Sequence, residues 1–286
     1  MTGARWSGKT ILIGVMMEQF STFLRLQHMA FLEPLGTTES RWKENYLKPL
    51  YEHLRLPGAT RPAKDLPLDP LLWSFRFGGA QYCLSLIDAA GEDLESPAIA
   101  DPKFAYLGKA DLIVNLVDPL KVPGVAAVLE GMVTIPAGAG RDLDVLRNVL
   151  KARAAHRQPN DPPQYLAITL SKFDILQDMR SRPHPPWQAV MNRPGAAIQR
   201  EPSFVDPFEN KDDGDLLHAE LLGLLDLLNA DLLLTAAQEG GIRYRLFATS
   251  ALGVSPNSDT IQRRGITPYR VLDILKAALA LKGAGA

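Results

Sequence analysis

The sequence predicts an α/β fold: a three-layer sandwich in which a mostly parallel sheet carries helices on both faces. Strand-like apolar runs alternate with helical segments along the 286 residues, a pattern that is typical of parallel sheets covered on both sides. The composition, with 46% hydrophobic and 22% charged residues, is that of a globular protein with one substantial core. We therefore expect a single domain over residues 1–286.

Hydrophobic periodicity predicts the individual elements in order. Apolar residues three and four apart predict a helix over about 11–27, and segment 39–56 predicts an inserted amphipathic helix. Strand-like runs at 71–77 and 81–87 flank Gly78-Gly79, which predicts a hairpin turn. The later elements are predicted as strand 111–118, helix 141–155, strand 164–170, helix 213–238, strand 242–249 and helix 267–282.

Residues 177–212 show neither a helical nor a strand period. Proline, aspartate, arginine and asparagine dominate this stretch, and such a composition favours turns and loops over regular elements. We therefore expect an irregular surface insertion here.

Charge and cysteine content exclude several classes of protein. The chain has 31 Lys and Arg against 32 Asp and Glu, without a basic cluster, so we expect no nucleic-acid partner. It lacks both an apolar run of roughly 18 residues and a signal-peptide pattern, so we expect no membrane insertion and a cytoplasmic location. Cys83 is the one cysteine and lies in an apolar run, which favours a buried, reduced thiol.

The sequence GARWSGKT at residues 3–10 fits a phosphate-binding loop. In such a loop the backbone N–H groups surround phosphates, the lysine reaches the β and γ phosphates, and the threonine hydroxyl binds magnesium. A helix follows directly, and its N-terminus would direct free N–H groups and its positive dipole end at the same phosphates. The expected ligand contacts in this segment are Gly3, Arg5, Ser7, Gly8, Lys9, Thr10 and Ile11.

Asp88 and Gly91 follow an apolar strand, at the end where an open α/β sheet places its ligand contacts. A carboxylate at this point would hold magnesium through water, and the glycine N–H would meet a γ-phosphate. Glu92 comes next and would orient a water molecule or act as a weak base. We therefore expect Lys9, Asp88 and Glu92 to be catalytic.

Two further segments follow strands at the same predicted edge of the sheet. Segment 171–174, Ser-Lys-Phe-Asp, offers a carboxylate that would accept hydrogen bonds from the N1 and N2 donors of guanine, which adenine does not present. Segment 249–252 offers small residues, which would let a backbone N–H group approach the guanine O6. The expected base-binding residues are Ser171, Lys172, Asp174, Ser250, Ala251 and Leu252.

These segments together resemble the Ras-like (TRAFAC) GTPases, and within them the bacterial double-GTPase families of GTPase-associated conflict systems. The resemblance rests on GARWSGKT, LIDAAGEDL at 86–94, TLSKFDIL at 169–176 and FATSALG at 247–253. It implies a P-loop NTPase fold, binding of GTP or GDP with Mg²⁺, slow hydrolysis of GTP, and switching of partner proteins. The alternatives are a nucleotide-binding scaffold with little or no turnover, and a P-loop ATPase or kinase.

The resemblance also implies a threonine that binds magnesium from a loop ahead of the first hairpin strand. Thr60 lies close before strand 71–77 and is the preferred candidate, while Thr37 and Thr38 precede the inserted helix. The expected metal ligands are therefore Thr10, Thr60 and Asp88.

The chain departs from this family pattern at its beginning. Only Met1 and Thr2 precede the loop, so we expect the first strand to be truncated and the native protein to have upstream residues. Arg5 and Trp6 stand where many relatives have small residues, and their bulk would slow hydrolysis, while Arg5 would alternatively add positive charge.

Overall fold

The structure, a computed structural model, describes residues 1–58, 60, 69–129, 141–178, 185–205, 208–256 and 259–283. Its strands are β1 (Thr2–Gly3), β2 (Glu33–Pro34), β3 (Leu71–Phe77), β4 (Ala80–Leu86), β5 (Leu112–Val117), β6 (Tyr165–Leu170) and β7 (Arg243–Ala248). Its α-helices are α1 (Lys9–His28), α2 (Thr38–Trp42), α3 (Gly91–Glu95), α4 (Ala105–Lys109), α5 (Pro123–Leu129), α6 (Arg141–His156), α7 (Phe173–Asp178), α8 (Pro185–Met191), α9 (Lys211–Leu227), α10 (Asp231–Glu239) and α11 (Asp273–Ala280).

Two sheets lie in the fold. β1, β5, β6 and β7 form a parallel sheet in that order, and β2, β3 and β4 form an antiparallel sheet. The backbone of Met1 links the two, because its amino group donates to Ile87 O (2.7 Å) and its carbonyl oxygen accepts from the Ala89 N–H (3.3 Å). The predicted α/β class with a parallel sheet is confirmed, and its first strand consists of two residues, Thr2 and Gly3.

Helices cover both faces of the parallel sheet. Along β5, Ile113 and Val117 belong to one hydrophobic cluster, while Val114 and Leu116 belong to another, because successive side chains of a strand point to opposite faces. The first cluster includes apolar residues of α6 and α9, and the second includes those of α1 and α11. The predicted arrangement of a sheet between two helical layers is therefore compatible with the structure.

The hairpin between β3 and β4 has the predicted turn. Gly78 and Gly79 both have positive φ (56° and 82°), which the tight two-residue turns of hairpins require and which glycine adopts without strain. Cys83 in β4 is exposed, so the expectation of a buried thiol is wrong. The apolar neighbours Tyr82 and Leu84 are partly buried, and Cys83 points to the other face of the strand because it alternates with them.

The inserted segment after β2 is helical but not a regular α-helix. α2 continues into a π-helix (Lys43–Glu52) that contains Pro49. Proline lacks the N–H that a regular α-helical turn needs, so Pro49 interrupts the α-helical hydrogen bonds here. The π-helix packs on α1, where a β-carbon at Gly14 would lie 2.4 Å from Leu50 Cδ1.

Two predicted helices are shorter in the structure. The helix predicted over 213–238 is wrong as one element, because α9 and α10 are separated at Asn229, whose φ of 52° is left-handed. Asparagine tolerates this conformation better than most residues, so the chain turns although the apolar period continues. The helix predicted from 267 begins only at Asp273, because Tyr269 exchanges backbone hydrogen bonds with Ser250 (2.8 and 3.0 Å).

The described part of segment 177–212 contains regular structure and buried residues. α8 lies in it, and Met191 and Ile198 are buried in the first hydrophobic cluster. The Tyr269 hydroxyl donates to Ile198 O at 2.6 Å. Residues 179–184 and 206–207 lie outside the described residues. None of the helices in the described part of the chain is both long enough and apolar enough to span a membrane.

The contact between α5 and the end of α9 predicts unequal effects of two glycine substitutions. A β-carbon at Gly124 would lie 1.7 Å from Leu228 O, whereas one at Gly223 would meet nothing within 4 Å. We expect Gly124→Ala to lower the free energy of unfolding by about 1–3 kcal/mol through overpacking. Gly223→Ala, the matched control on a helix surface, should raise it by about 0.5–1 kcal/mol. Urea denaturation of both variants measures this, and equal effects would contradict the packing.

Candidate functional site

A cavity of about 380 Å³ lies at the carboxyl edge of the parallel sheet, within the size range of small-molecule sites. Most of the residues predicted to bind a ligand line it, because the loops that follow parallel strands meet at one edge. The predicted residues on its wall are Arg5, Ser7, Gly8, Lys9, Thr10, Ile11, Thr60, Gly91, Glu92, Ser171, Lys172, Asp174, Ser250, Ala251 and Leu252. Gly3 and Asp88 do not line the cavity. Gly3 accepts a hydrogen bond from Lys9, and Asp88 accepts one from Thr10, both of which are on the wall.

The loop from Gly3 to Gly8 turns tightly out of β1. Gly3 and Gly8 have φ values of 140° and 91°, and a β-carbon at Gly3 would lie 2.7 Å from Leu116 O. Lys9 Nζ donates to the carbonyl oxygens of Gly3 (2.9 Å) and Ala4 (3.0 Å), so the loop closes on the first turn of α1. Burial lowers the pKa of Lys9, and the negative charge of Asp88 opposes this shift.

The exposed tip of this loop is strained and charged. Trp6 has a left-handed φ of 67° and is 68% exposed, a conformation uncommon for a bulky residue. The Arg5 guanidinium lies 5.3 Å from the centre of the Trp6 ring, and its Nη1 lies 2.9 Å from Glu92 Oε1. Glu92 is therefore engaged in an ion pair with a second residue of the cavity wall.

Helix α3 packs directly on the loop. A β-carbon at Gly91 would lie 2.5 Å from the Arg5 backbone nitrogen, so only glycine allows this approach. The Arg5 N–H donates to Glu95 Oε1 at 3.1 Å. The first turn after Asp88 and the loop are therefore held as one unit.

Three predicted metal ligands converge beside Lys9. The hydroxyl oxygens of Thr10 and Thr60 lie 2.8 Å apart, and both donate to Asp88 Oδ2 (2.9 and 3.0 Å). Asp88 Oδ1 is buried without a hydrogen bond of standard geometry among the described residues. Tyr46 of the π-helix faces this carboxylate, and its pKa is raised by burial and then by the charge of Asp88.

The alternative threonines do not reach this cluster. The Thr38 hydroxyl accepts from the Leu72 N–H at 2.9 Å, so it holds α2 against β3. Thr37 is the exposed residue before α2. The structure therefore brings Thr60, rather than Thr37 or Thr38, to Asp88.

The other end of the cavity is formed after β6 and β7. The Ser250 hydroxyl donates to Asp174 Oδ1 at 2.5 Å, and its oxygen accepts from the Gly253 N–H at 2.9 Å. The Ser171 hydroxyl donates to Val117 O at 3.1 Å. These bonds tie the loop after β6 to β5 and to the loop after β7.

Sequence reasoning missed two residues that hold the site together. Asp118 directly follows β5 and is fully buried, with its Oδ2 at 2.6 Å from Lys172 Nζ. Lys121 Nζ donates to Arg5 O at 2.7 Å. The signal was present, because Asp118 ends an apolar strand at the same edge as the other motifs.

Asp142 at the beginning of α6 has a buried carboxylate. It is 3% exposed, and neither carboxylate oxygen makes a hydrogen bond of standard geometry within the described residues. Burial raises its pKa to about 6, while the positive charge of Lys121 and the nearby backbone N–H of Asp118 oppose the shift. The carboxylate in turn favours the charged form of Lys9.

One named relative shares most of the chain. It is the "Putative ESX-1 scaffolding and assembly protein SaeC" of Mycolicibacterium smegmatis, which is 32% identical in a match that covers 96% of this chain and 72% of the relative. No protein-family model and no solved structure matches the chain significantly.

This relationship overturns the functional interpretation of the motifs. The relative is named for scaffolding and assembly, not for catalysis. The membership in the Ras-like and double-GTPase families, the GTPase activity and the nucleotide-dependent switch are therefore wrong. The catalytic roles expected for Lys9, Asp88 and Glu92 fall with the GTPase activity, and Glu92 is paired with Arg5.

The buried Asp142 predicts a pH-dependent effect of Asp142→Asn. The pKa of about 6 lies above the ordinary value of 3.8, so between about pH 4 and pH 6 the folded state keeps a proton that the unfolded state has released. The resulting destabilisation grows across this range and is complete above about pH 6. We expect Asp142→Asn to raise the free energy of unfolding by on the order of 3 kcal/mol at pH 7. The gain should shrink towards zero near pH 4.

Denaturant unfolding of both proteins between pH 4 and pH 7.5 measures this difference. Other titrating groups cancel because they are common to both chains. A difference that does not change with pH would show that Asp142 does not titrate in this way.

Proposed function

The chain belongs to the family of SaeC, and we propose that it acts as a scaffolding and assembly protein of an ESX-1 type of assembly. The observation that carries this proposal is the identity along 96% of the chain. The relationship extends over nearly the whole chain, so the proposal concerns the chain as a whole.

Exposed apolar residues support a role in binding partner proteins. At the end of α1 and just beyond it, Leu26, Met29 and Phe31 are 64%, 91% and 71% exposed. Neighbouring exposed apolar side chains of this size commonly mark protein interaction surfaces. The chain therefore offers a surface of the kind that an assembly protein needs for its protein partners.

We further propose that the cavity holds a guanine nucleotide, GTP or GDP, with Mg²⁺, as a bound ligand without turnover. The loop after β1 turns at two glycines with positive φ and leads into the N-terminus of α1, an arrangement that suits phosphates. Lys9 lines the cavity beside this loop. The oxygens of Thr10, Thr60 and Asp88 form the hard donor set that magnesium prefers. The finer description as a P-loop NTPase fold belongs to the same proposal.

At the far end of the cavity, Asp174 supplies the carboxylate that this ligand needs. Its Oδ1 already accepts from Ser250, and its position on the wall supports hydrogen bonds to a purine that presents two donors. A ligand in the cavity would contact loops after β1, β6 and β7 together. It would stabilise the folded scaffold by mass action, by about 2.7 kcal/mol at a hundredfold excess over Kd.

The scaffolding role predicts a defect in assembly rather than in synthesis. In the host that encodes this chain, deleting its gene should lower the amount of the assembled ESX-1-type complex and leave the amounts of the individual components unchanged. Native gel analysis with quantitative mass spectrometry measures both, and re-expression of the full chain is the control. Normal assembly without the protein would contradict the proposal.

The ligand proposal predicts guanine-selective binding that depends on Lys9. Calorimetric titration of GDP, GTP and ATP with Mg²⁺ should show tighter binding of the guanine nucleotides. Lys9→Ala should weaken it by at least about tenfold, because a charged hydrogen-bond donor is lost. Lys151→Ala, an exposed lysine on α6, is the matched control and should bind normally.

Asp174→Asn tests the selectivity in the same assay. The amide keeps the size of the side chain but replaces one acceptor by a donor, so the preference for GDP over ADP should fall. Equal binding of ATP and GTP by the unaltered protein would contradict the guanine selectivity. Release of phosphate during the titration would contradict the proposal that the ligand is bound without turnover.

A further inference from the structure

The short turn Asp118–Lys121 after β5 connects the two halves of the cavity. At one end Asp118 pairs with Lys172, and at the other end Lys121 donates to Arg5 O. Leu120 between them lies on the cavity wall. We propose that Asp118 is a positioning residue, which fixes the stem of Lys172 as one wall of the ligand cavity.

Both carboxylate oxygens of Asp118 are engaged. Oδ2 lies 2.6 Å from Lys172 Nζ, and Oδ1 accepts from the Leu120 N–H at 3.0 Å. The carboxylate is fully buried, and a buried charge held by two partners has little freedom to move. Its position is therefore set by the backbone at the end of β5, the second strand of the parallel sheet.

The backbone of Lys172 makes this anchor necessary. Its φ of 51° is left-handed, which is uncommon for a residue with a long side chain. The residues on either side are fixed, because the Ser171 N–H donates to Val117 O (2.9 Å) and the Phe173 N–H donates to Thr249 O (3.0 Å). The direction of the lysine stem is the remaining freedom, and Asp118 determines it.

The consequence concerns what Lys172 presents to a ligand. Its ammonium group is bound to Asp118, which is fully buried and does not line the cavity, whereas Lys172 does. On this proposal the methylene stem is the part of Lys172 that a ligand meets. An apolar stem can pack against the flat face of a base, whereas the loop after β1 would bind the phosphates. This assignment to the base end rests on the proposed guanine nucleotide.

Two ligands separate positioning from general stability. GDP would contact both ends of the cavity, whereas pyrophosphate would contact only the phosphate end. We expect Asp118→Asn to weaken binding of GDP with Mg²⁺ by about tenfold and to leave binding of pyrophosphate with Mg²⁺ within about twofold. Lys172→Met should act alike, and the double variant should be no weaker than either single one, because the two residues act as a pair.

The matched control is a second lysine–aspartate pair at the opposite edge of the sheet. Lys109 Nζ lies 2.6 Å from Asp161 Oδ1, before β5 and β6 begin. Asp161→Asn should leave both affinities unchanged. If Asp118→Asn does not fold, Lys172→Arg keeps the charge but changes the shape of the stem, and it should weaken GDP and not pyrophosphate.

A readout without any ligand keeps this inference separate from the ligand proposal. An amine-reactive acylating reagent should modify Lys172 several-fold faster in Asp118→Asn than in the unaltered protein or in Asp161→Asn, as measured by mass spectrometry. If the unaltered protein binds neither GDP nor pyrophosphate while this rate rises, the ligand proposal fails and the positioning stands. Unchanged labelling, or equal loss of GDP and pyrophosphate binding, would overturn the positioning role.

Discussion

The parallel alignment of β1, β5, β6 and β7 is the constraint on which the rest of the molecule depends. Strands that run in one direction end at one edge, so loops that are far apart in the sequence meet around a single cavity. Alternate side chains of these strands enter two hydrophobic clusters, which need helices on both faces. The same alignment therefore creates the core and the site.

The loop after β1 is held from every side by groups of other elements. Lys9 and Lys121 donate to its carbonyl oxygens, and Gly91 permits α3 to approach its backbone. This rigidity has a structural cost, because Trp6 takes a left-handed conformation. Asp142 is also buried, which raises its pKa although the positive charges of Lys121 and Lys172 oppose the shift. Strain that is retained beside a preformed cavity is consistent with a site that binds a ligand in a fixed geometry.

The functional interpretation was wrong about the reaction, although the motifs indicated the geometry of the site. Four short motifs correctly indicated which loops meet, since Lys9, Gly91, Asp174 and Ser250 line one cavity. They did not indicate whether the assembled site turns a substrate over, because one fold serves many activities. The relationship to a scaffolding and assembly protein corrects this step. A single domain over the whole chain stays a prediction.

The sequence by itself determined the alternation of strands and helices and the placement of the motifs at strand ends, because periodicity and turn residues act over a few neighbours. Only the tertiary structure decided the features that depend on distant contacts. The hydroxyl of Thr60 meets Thr10 and Asp88, and Asp118 meets Lys172, across separations that no local pattern encodes. The extended residues before α11 have the same origin, because pairing between Ser250 and Tyr269 replaces the hydrogen bonds of a helix.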